Sequence, residues 1–88
     1  MAPKPEYRWC VYILQSTSTT SLYTGITTDP IKRVAAHNSG KGAKFTRGKG
    51  PWKVAYMHGP LTQGDALRME LEIKKLSREA KLKLIQSS

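Results

Sequence analysis

A short apolar segment at residues 7–14, YRWCVYIL, limits the folds open to this chain more than any other part of it. Its aromatic and β-branched residues are typical of a β-strand. Alternate side chains of a strand point to opposite faces, which puts Trp9, Val11 and Ile13 on one face and Cys10, Tyr12 and Leu14 on the other. Because both faces are largely apolar, we expect a central strand covered on both sides. In a chain of 88 residues, most other elements must then contact it.

Turn and capping signals divide the rest of the chain into elements. Two further strands and three helices are predicted, at residues 22–26 and 52–58 and at residues 30–38, 63–76 and 78–85. Gly40 is placed to end the first helix, and Gly59-Pro60 to end the third strand. We predict a disordered N-terminus at residues 1–6 and one α/β domain of the α+β type at residues 7–86. It has a small three-stranded antiparallel sheet flanked by helices, in the order β-β-α-β-α-α.

Apolar spacing predicts which side of the first two helices faces the sheet. The expected core residues are Ile31, Val34 and Ala35 in the first helix, and Ala66, Met69, Ile73 and Leu76 in the second. Arg33 and His37 lie four residues apart, so we expect them to share one face of the first helix.

The positive charge is concentrated in one segment. The formal net charge is +9, and residues 39–53 hold five basic and no acidic residues, hence +5 of it. Such a segment favours a polyanionic partner through counterion release, although a solvated basic loop that aids solubility would look the same. Glycine within a strand marks a place where a backbone or ligand comes close. The predicted nucleic-acid contacts are therefore Gly25, Lys41, Lys44, Arg47 and Lys49.

Several classes of protein are excluded by composition. The single cysteine, Cys10, rules out an internal disulfide, and no cluster of Cys and His predicts structural zinc. No apolar run is long enough to span a membrane, and the N-terminal residues lack the apolar core of a secretory signal. We expect a cytoplasmic monomer that uses no small-molecule cofactor and binds no membrane.

Two tripeptides on the opening hairpin, CVY at residues 10–12 and YTG at 23–25, are followed by Arg33 on the first helix and by Glu70 in ALRMELEIKK. This combination resembles the GIY-YIG nuclease superfamily. The segments LYTGITTDPIKR and HNSGKGAKFTR are similar to its small stand-alone branch, the UPF0213 or YhbQ-like family. The resemblance covers residues 8–85 and implies the GIY-YIG endonuclease fold.

The chain departs from the family pattern at several letters. The tripeptides read CVY and YTG in place of GIY and YIG, so that only Tyr12, Tyr23 and Gly25 are retained. Cys10 brings a larger side chain to the strand face that carries Tyr12. His37 stands where some relatives have a tyrosine.

The resemblance implies cleavage of phosphodiester bonds with one Mg²⁺ or Mn²⁺ ion. The implied general base is Tyr12, with Tyr23 holding a water or a phosphate oxygen. Arg33 is implied to bind the phosphate and Glu70 the metal. His37 is also predicted to be a catalytic residue, with no role assigned. Cations such as Arg33 are expected to favour the phenolate of Tyr12 and lower its pKa. A single carboxylate would bind the metal weakly until nucleic acid supplies further ligands.

Each of these residues also has a structural interpretation. The two tyrosines could be half-buried strand aromatics, and Arg33 could be a solvated helix residue. Glu70 has Lys74 four residues on, the spacing of a helix ion pair. His37 could pack or cap the helix end.

The leading hypothesis is a metal-dependent nuclease acting on DNA, single-stranded or structured, in repair, recombination or uptake. The alternative is a nucleic-acid-binding module that keeps the fold without cutting. A third hypothesis, an RNA- or ribosome-associated protein, fits the basic charge as well, although DNA is the expected partner.

Overall fold

The computed structural model describes residues 6–87, and its elements follow the predicted order. They are β1 (Trp9–Ser16), β2 (Leu22–Thr27), α1 (Pro30–Asn38), β3 (Trp52–Leu61), α2 (Gln63–Lys74) and α3 (Arg78–Gln86), with a 3₁₀ turn at Lys44–Thr46. The strands are antiparallel in the order β2-β1-β3, so β1 is central as expected. The predicted disorder at residues 1–6 falls on residues outside the described ones, apart from Glu6, and the domain limits stay a prediction.

Both faces of β1 are covered. Val11 and Ile13 are fully buried on one face, where residues of β3 and α2 join them in a core cluster and α3 packs at its border. On the other face, Tyr12 and Leu14 are buried with Trp52, and Val34 of α1 packs against them. The central strand therefore separates an apolar core from a second layer that contains a polar side chain, the phenol of Tyr12.

The prediction that Gly59-Pro60 ends the third strand is wrong. β3 continues to Leu61, which pairs with Trp9 of β1. β3 is an edge strand, so the missing N–H of Pro60 can face away from the ladder without loss of a hydrogen bond. The rule that proline stops a strand holds for central strands, and β3 is not a central strand.

The predicted apolar face of α1 is also wrong. Ile31 is 86% exposed and Ala35 is exposed, so only Val34 of the three expected residues packs inward. The inward face instead carries Arg33 and His37 together with Val34, at helical spacing. The helix is thus rotated so that two polar side chains, Arg33 and His37, face inward.

In α2 the predicted core residues Ala66, Met69 and Ile73 are buried or partly buried, but Leu76 is 38% exposed. The helix ends at Lys74, before the turn that would carry Leu76 inward. Among the described residues, no helix combines the length and apolarity needed to cross a membrane.

The basic segment at residues 39–51 lacks long regular structure, yet hydrogen bonds hold it in place. The Ser16 hydroxyl donates to the Lys49 carbonyl at 2.5 Å, which ties the segment to the end of β1. Asn38 exchanges two hydrogen bonds with the backbone of Trp52, at 2.6 and 3.1 Å. The indole N–H of Trp52 donates to the Thr46 carbonyl at 3.0 Å, which fixes the 3₁₀ turn against the sheet.

Candidate active site

The opening hairpin brings two phenols together on one face of the sheet. Tyr12 pairs with Gly25 and Leu14 with Tyr23, so the two tyrosines are diagonal neighbours, with ring centroids 6.3 Å apart. Gly25 is buried, and the space that its side chain would fill is taken by the phenol of Tyr12. A buried glycine beneath a tyrosine is unsuited to touch nucleic acid, so we leave Gly25 out of the proposed interface.

His37 reaches the phenols from the last turn of α1. Its Nε2 atom lies 3.0 Å from the hydroxyl oxygen of Tyr12, and its ring centroid lies 4.9 Å from that of Tyr23. Its Nδ1 atom lies 2.8 Å from the hydroxyl oxygen of Thr46. His37 is only 2% exposed, so both of its ring nitrogens are satisfied inside the protein. Burial, followed by the charge of Arg33, lowers its pKa.

Arg33 lies one turn before His37 and approaches both phenols. Its interaction with Tyr12, and to a lesser degree with Tyr23, raises the pKa of the guanidinium. The residue is partly exposed, as Tyr23 is. A planar, permanently charged fork at the surface of a phenol cluster suits bidentate contact with a phosphate.

The expected effect of Arg33 on the Tyr12 pKa is present, but it does not set the net direction. Desolvation by burial raises the pKa of Tyr12, and this outweighs the opposing effect of the Arg33 guanidinium. Sequence reasoning counted the cation but could not count the burial, which leaves Tyr12 only 1% exposed. At neutral pH this phenol therefore keeps its proton.

Glu70 belongs to α2, on a different element from the other predicted site residues. Its negative charge makes a small contribution to the raised pKa of Tyr12. Its side chain is 16% exposed, and its Oε2 atom lies 3.5 Å from the ammonium of Lys74. The ion pair between Glu70 and Lys74 that the structural interpretation expected is therefore present, and Glu70 also acts on the pKa of Tyr12. Within residues 6–87, no three His, Cys, Asp or Glu side chains gather as a metal-holding group.

The basic segment carries an exposed aromatic residue that sequence reasoning missed. Phe45 is 48% exposed, and its ring lies 6.1 Å from that of Tyr23, with 23° between the planes. The ammonium of Lys49 lies 3.6 Å from the Phe45 centroid. Lys41, Lys44 and Arg47 are exposed around it. The phenol cluster is thus continuous with a basic surface that contains an aromatic ring.

Thr46 and Gly42 were also missed. Thr46 is 1% exposed and contacts His37, and a side chain on Gly42 would collide with the His37 ring. The segment HNSGKGAKFTR contains all of these residues, but no periodicity in an irregular loop reveals which side chains turn inward. Only their closeness in sequence to His37 offered a signal.

This geometry agrees with the comparison to known proteins. The GIY-YIG catalytic domain matches residues 8–83. The chain belongs to the GIY-YIG family. That family match covers both phenol-bearing strands, the cationic helix and Glu70, and it makes this a domain of a nuclease family.

Similar curated proteins carry the description UPF0213 protein. One from Clostridium perfringens is 49% identical over 77 residues, which cover 88% of this chain and 82% of the relative. One from Oceanobacillus iheyensis is 46% identical over 76 residues, which cover 86% of this chain and 87% of the relative. One from Aeromonas salmonicida is 42% identical over 82 residues, and this chain spans only 60% of that relative's length.

The solution NMR structure of a UPF0213 protein from Bacillus halodurans has a similar fold. It superimposes with a TM-score of 0.58 at 42% sequence identity, over 91% of this chain and 84% of that one. The α+β fold predicted from sequence is therefore confirmed.

Proposed function

We propose that this protein is a metal-dependent endonuclease that hydrolyses phosphodiester bonds in DNA containing a single-stranded segment. The observation that carries the proposal is the convergence of two phenols, an imidazole and a guanidinium beside a basic surface. The family match supports the reaction class. The individual roles of the residues are our assignment.

The partly exposed members of the cluster bind the phosphate. The Arg33 guanidinium takes two phosphate oxygens, and the Tyr23 hydroxyl donates to a third oxygen or to the attacking water. Because Arg33 now interacts with Tyr12, its engagement by phosphate draws the cation away from that phenol. Substrate binding thereby opens the Tyr12 hydroxyl to the water.

Tyr12 and His37 handle the proton. The oxygen of water forms a bond to phosphorus, and the bond from phosphorus to the leaving sugar oxygen breaks. The water proton passes to the Tyr12 oxygen while the Tyr12 proton passes to His37 Nε2, 3.0 Å away. The leaving oxygen takes a proton from solvent. This relay needs no free phenolate, in agreement with the raised pKa of Tyr12.

Glu70 is the residue that would hold one Mg²⁺ or Mn²⁺ ion. A single hard carboxylate fits these ions, which commonly use one or two protein carboxylates together with water and substrate phosphate. Such an ion supplies positive charge to the phosphate oxygens and favours ionisation of a bound water.

Phe45 favours a substrate with unpaired bases. The ring offers a stacking surface when the Lys49 ammonium, 3.6 Å from its centroid in the free protein, turns to a phosphate of the bound strand. In a duplex the base faces are stacked on one another and closed to such a ring. A single strand or a junction presents them.

The test is a cleavage assay on single-stranded, duplex and branched DNA with Mn²⁺. We expect products from the wild-type protein and none from Glu70→Gln, which keeps the shape but loses the charge. Glu72→Gln, an exposed position on the same helix, is the matched control and should cleave normally. No product above the Glu70→Gln background on any substrate would overturn the nuclease proposal. Binding without cleavage would then favour the alternative, a non-cutting nucleic-acid-binding module. Competition between DNA and RNA for binding would show which nucleic acid the protein prefers.

A further inference from the structure

A buried series of hydrogen bonds runs from the basic segment at residues 39–51, called the basic loop below, to the phenol of Tyr12. The Thr46 hydroxyl donates to the Ala43 carbonyl at 2.8 Å, and the same oxygen lies 2.8 Å from His37 Nδ1. His37 Nε2 in turn lies 3.0 Å from the Tyr12 hydroxyl. Tyr12, His37 and Thr46 are each 2% exposed or less, so water does not compete for these contacts.

The donor in each of these hydrogen bonds can be assigned by starting from Thr46. A hydroxyl has one proton, and that of Thr46 goes to the Ala43 carbonyl. The contact between Thr46 Oγ1 and His37 Nδ1 must then be made by a proton on Nδ1. A neutral imidazole carries only one N–H, so Nε2 is left with a lone pair.

Counting from the Tyr12 end gives the same answer. Arg33 acts on Tyr12 through its charge but has no acceptor atom, so it cannot take up the proton of the Tyr12 hydroxyl. The hydrogen-bond partner of this hydroxyl is His37 Nε2, and a proton on Nε2 would make the imidazole the donor and leave the buried Tyr12 O–H without an acceptor in the described part of the chain. A lone pair on Nε2 accepts the Tyr12 proton instead and leaves no buried donor unpaired.

We propose that Thr46 is a positioning residue that fixes the Nδ1–H tautomer of His37, so that Nε2 is the acceptor of the Tyr12 proton. The catalytic consequence rests on the proposed nuclease function, but the tautomer itself does not. The basic loop thus has a second role besides binding nucleic acid, because its 3₁₀ turn prepares the proton acceptor. The titratable and charged groups that face His37 are Tyr12, Tyr23 and Arg33.

The positioning role of the Thr46 hydroxyl can be tested without unfolding the protein, because other contacts hold the 3₁₀ turn in place. The Thr46 carbonyl, which accepts from the Trp52 indole at 3.0 Å, holds the turn without the hydroxyl. Thr46→Val keeps the side-chain shape and this backbone bond but removes the acceptor for Nδ1–H. Thr46→Ser keeps the hydroxyl and is the matched control.

The tautomer can be read directly by NMR on the protein alone. Long-range ¹H–¹⁵N correlation spectra near pH 8 distinguish Nδ1–H from Nε2–H, and His58→Gln assigns the two histidines. We expect Nδ1–H in the wild type and in Thr46→Ser, and a shift toward Nε2–H in Thr46→Val. Nε2–H in the wild type would overturn the proposal even if Thr46→Val failed to fold. An unchanged tautomer in a folded Thr46→Val protein would show that Tyr12 alone fixes the tautomer, and would overturn the positioning role of Thr46.

Activity gives the second test. On a DNA substrate that the wild type cleaves, Thr46→Val should lower kcat by about 100-fold, the lower end of a general-base contribution. Substrate affinity should stay the same, and Thr46→Ser should restore kcat. An equal loss in both variants, or a loss of affinity only, would contradict a positioning role. Without any cleavage by the wild type, the nuclease proposal fails while the NMR result still decides the tautomer.

Discussion

A Cβ atom on Gly25 would lie 2.6 Å from the hydroxyl oxygen of Tyr12, which is closer than side-chain carbons approach other atoms. The two residues are directly paired across β1 and β2, so the contact is a consequence of strand register. The family's retained glycine therefore makes room for the retained tyrosine. No glycine-specific backbone angle is involved, because Gly25 is not among the residues with positive φ.

Gly25→Ala should displace the Tyr12 ring and destabilise the fold. Overpacking of this kind costs about 1–3 kcal/mol, which chemical denaturation can measure. Cleavage should fall as well, because the bond from Tyr12 to His37 depends on the ring position. Gly64→Ala is the control, since a Cβ there meets nothing within 4 Å and alanine favours the helix. Equal stability of the two variants would show that Tyr12 can move freely.

Phe45→Leu should weaken binding to single-stranded DNA more than binding to duplex. Loss of one stacked base costs about 1–3 kcal/mol, and Phe45→Trp should retain the affinity. Fluorescence anisotropy with labelled oligonucleotides measures both. Tyr7→Leu removes another exposed ring, 62% accessible and outside the loop, and should leave binding unchanged. A similar loss on single strands and duplex would refute base stacking.

Charge reversal in the basic loop should reduce the salt dependence of binding. Each phosphate contact contributes about 0.7 to the slope of log K against log salt on single strands, so three lost contacts lower it by about 2. The variant is the triple change of Lys41, Lys44 and Arg47 to Glu. Its control reverses the same number of exposed charges in and beside α2 and α3, at Lys75, Arg78 and Lys83. If both triple variants lose the same slope, net charge rather than the loop drives binding.

Acidification should destabilise the protein through His37. Burial lowers the pKa of His37 below the ordinary 6.5, so between these two values the unfolded chain binds more protons than the folded one. The contribution is complete above pH 6.5 and is lost as the pH falls toward the folded-state pKa. One such proton changes the free energy of unfolding by at most about 1.4 kcal/mol per pH unit.

Denaturation curves from pH 7.5 to 5 check this dependence on pH. His37→Gln should lose this part of the slope, whereas His58→Gln, at an exposed site on β3, should keep it. A slope that survives in His37→Gln would assign the effect to other groups.

Much of the fold followed from local pattern. The run of aromatic and β-branched residues around Tyr12, apolar on both faces, predicted the central strand. Asp29-Pro30 predicted the start of α1, where the Asp29 side chain accepts from the Lys32 backbone N–H. These signals depend on neighbours a few residues away, so the sequence contains them. The end of β3 depended on its position at the edge of the sheet. The exposure of Ile31 depended on how α1 is rotated against the sheet. Neither is visible in the pattern of neighbouring residues.

The same division holds for the candidate site. The amino-acid order alone shows which groups are available: two phenols, a guanidinium, an imidazole and a carboxylate, at spacings typical of a nuclease family. The burial of Tyr12, which keeps its proton, and the contact of Thr46 with His37 nine residues earlier became known from the folded protein. Burial and hydrogen-bond direction arise from contacts between distant segments. The physical state of each group was therefore open until those segments had packed together.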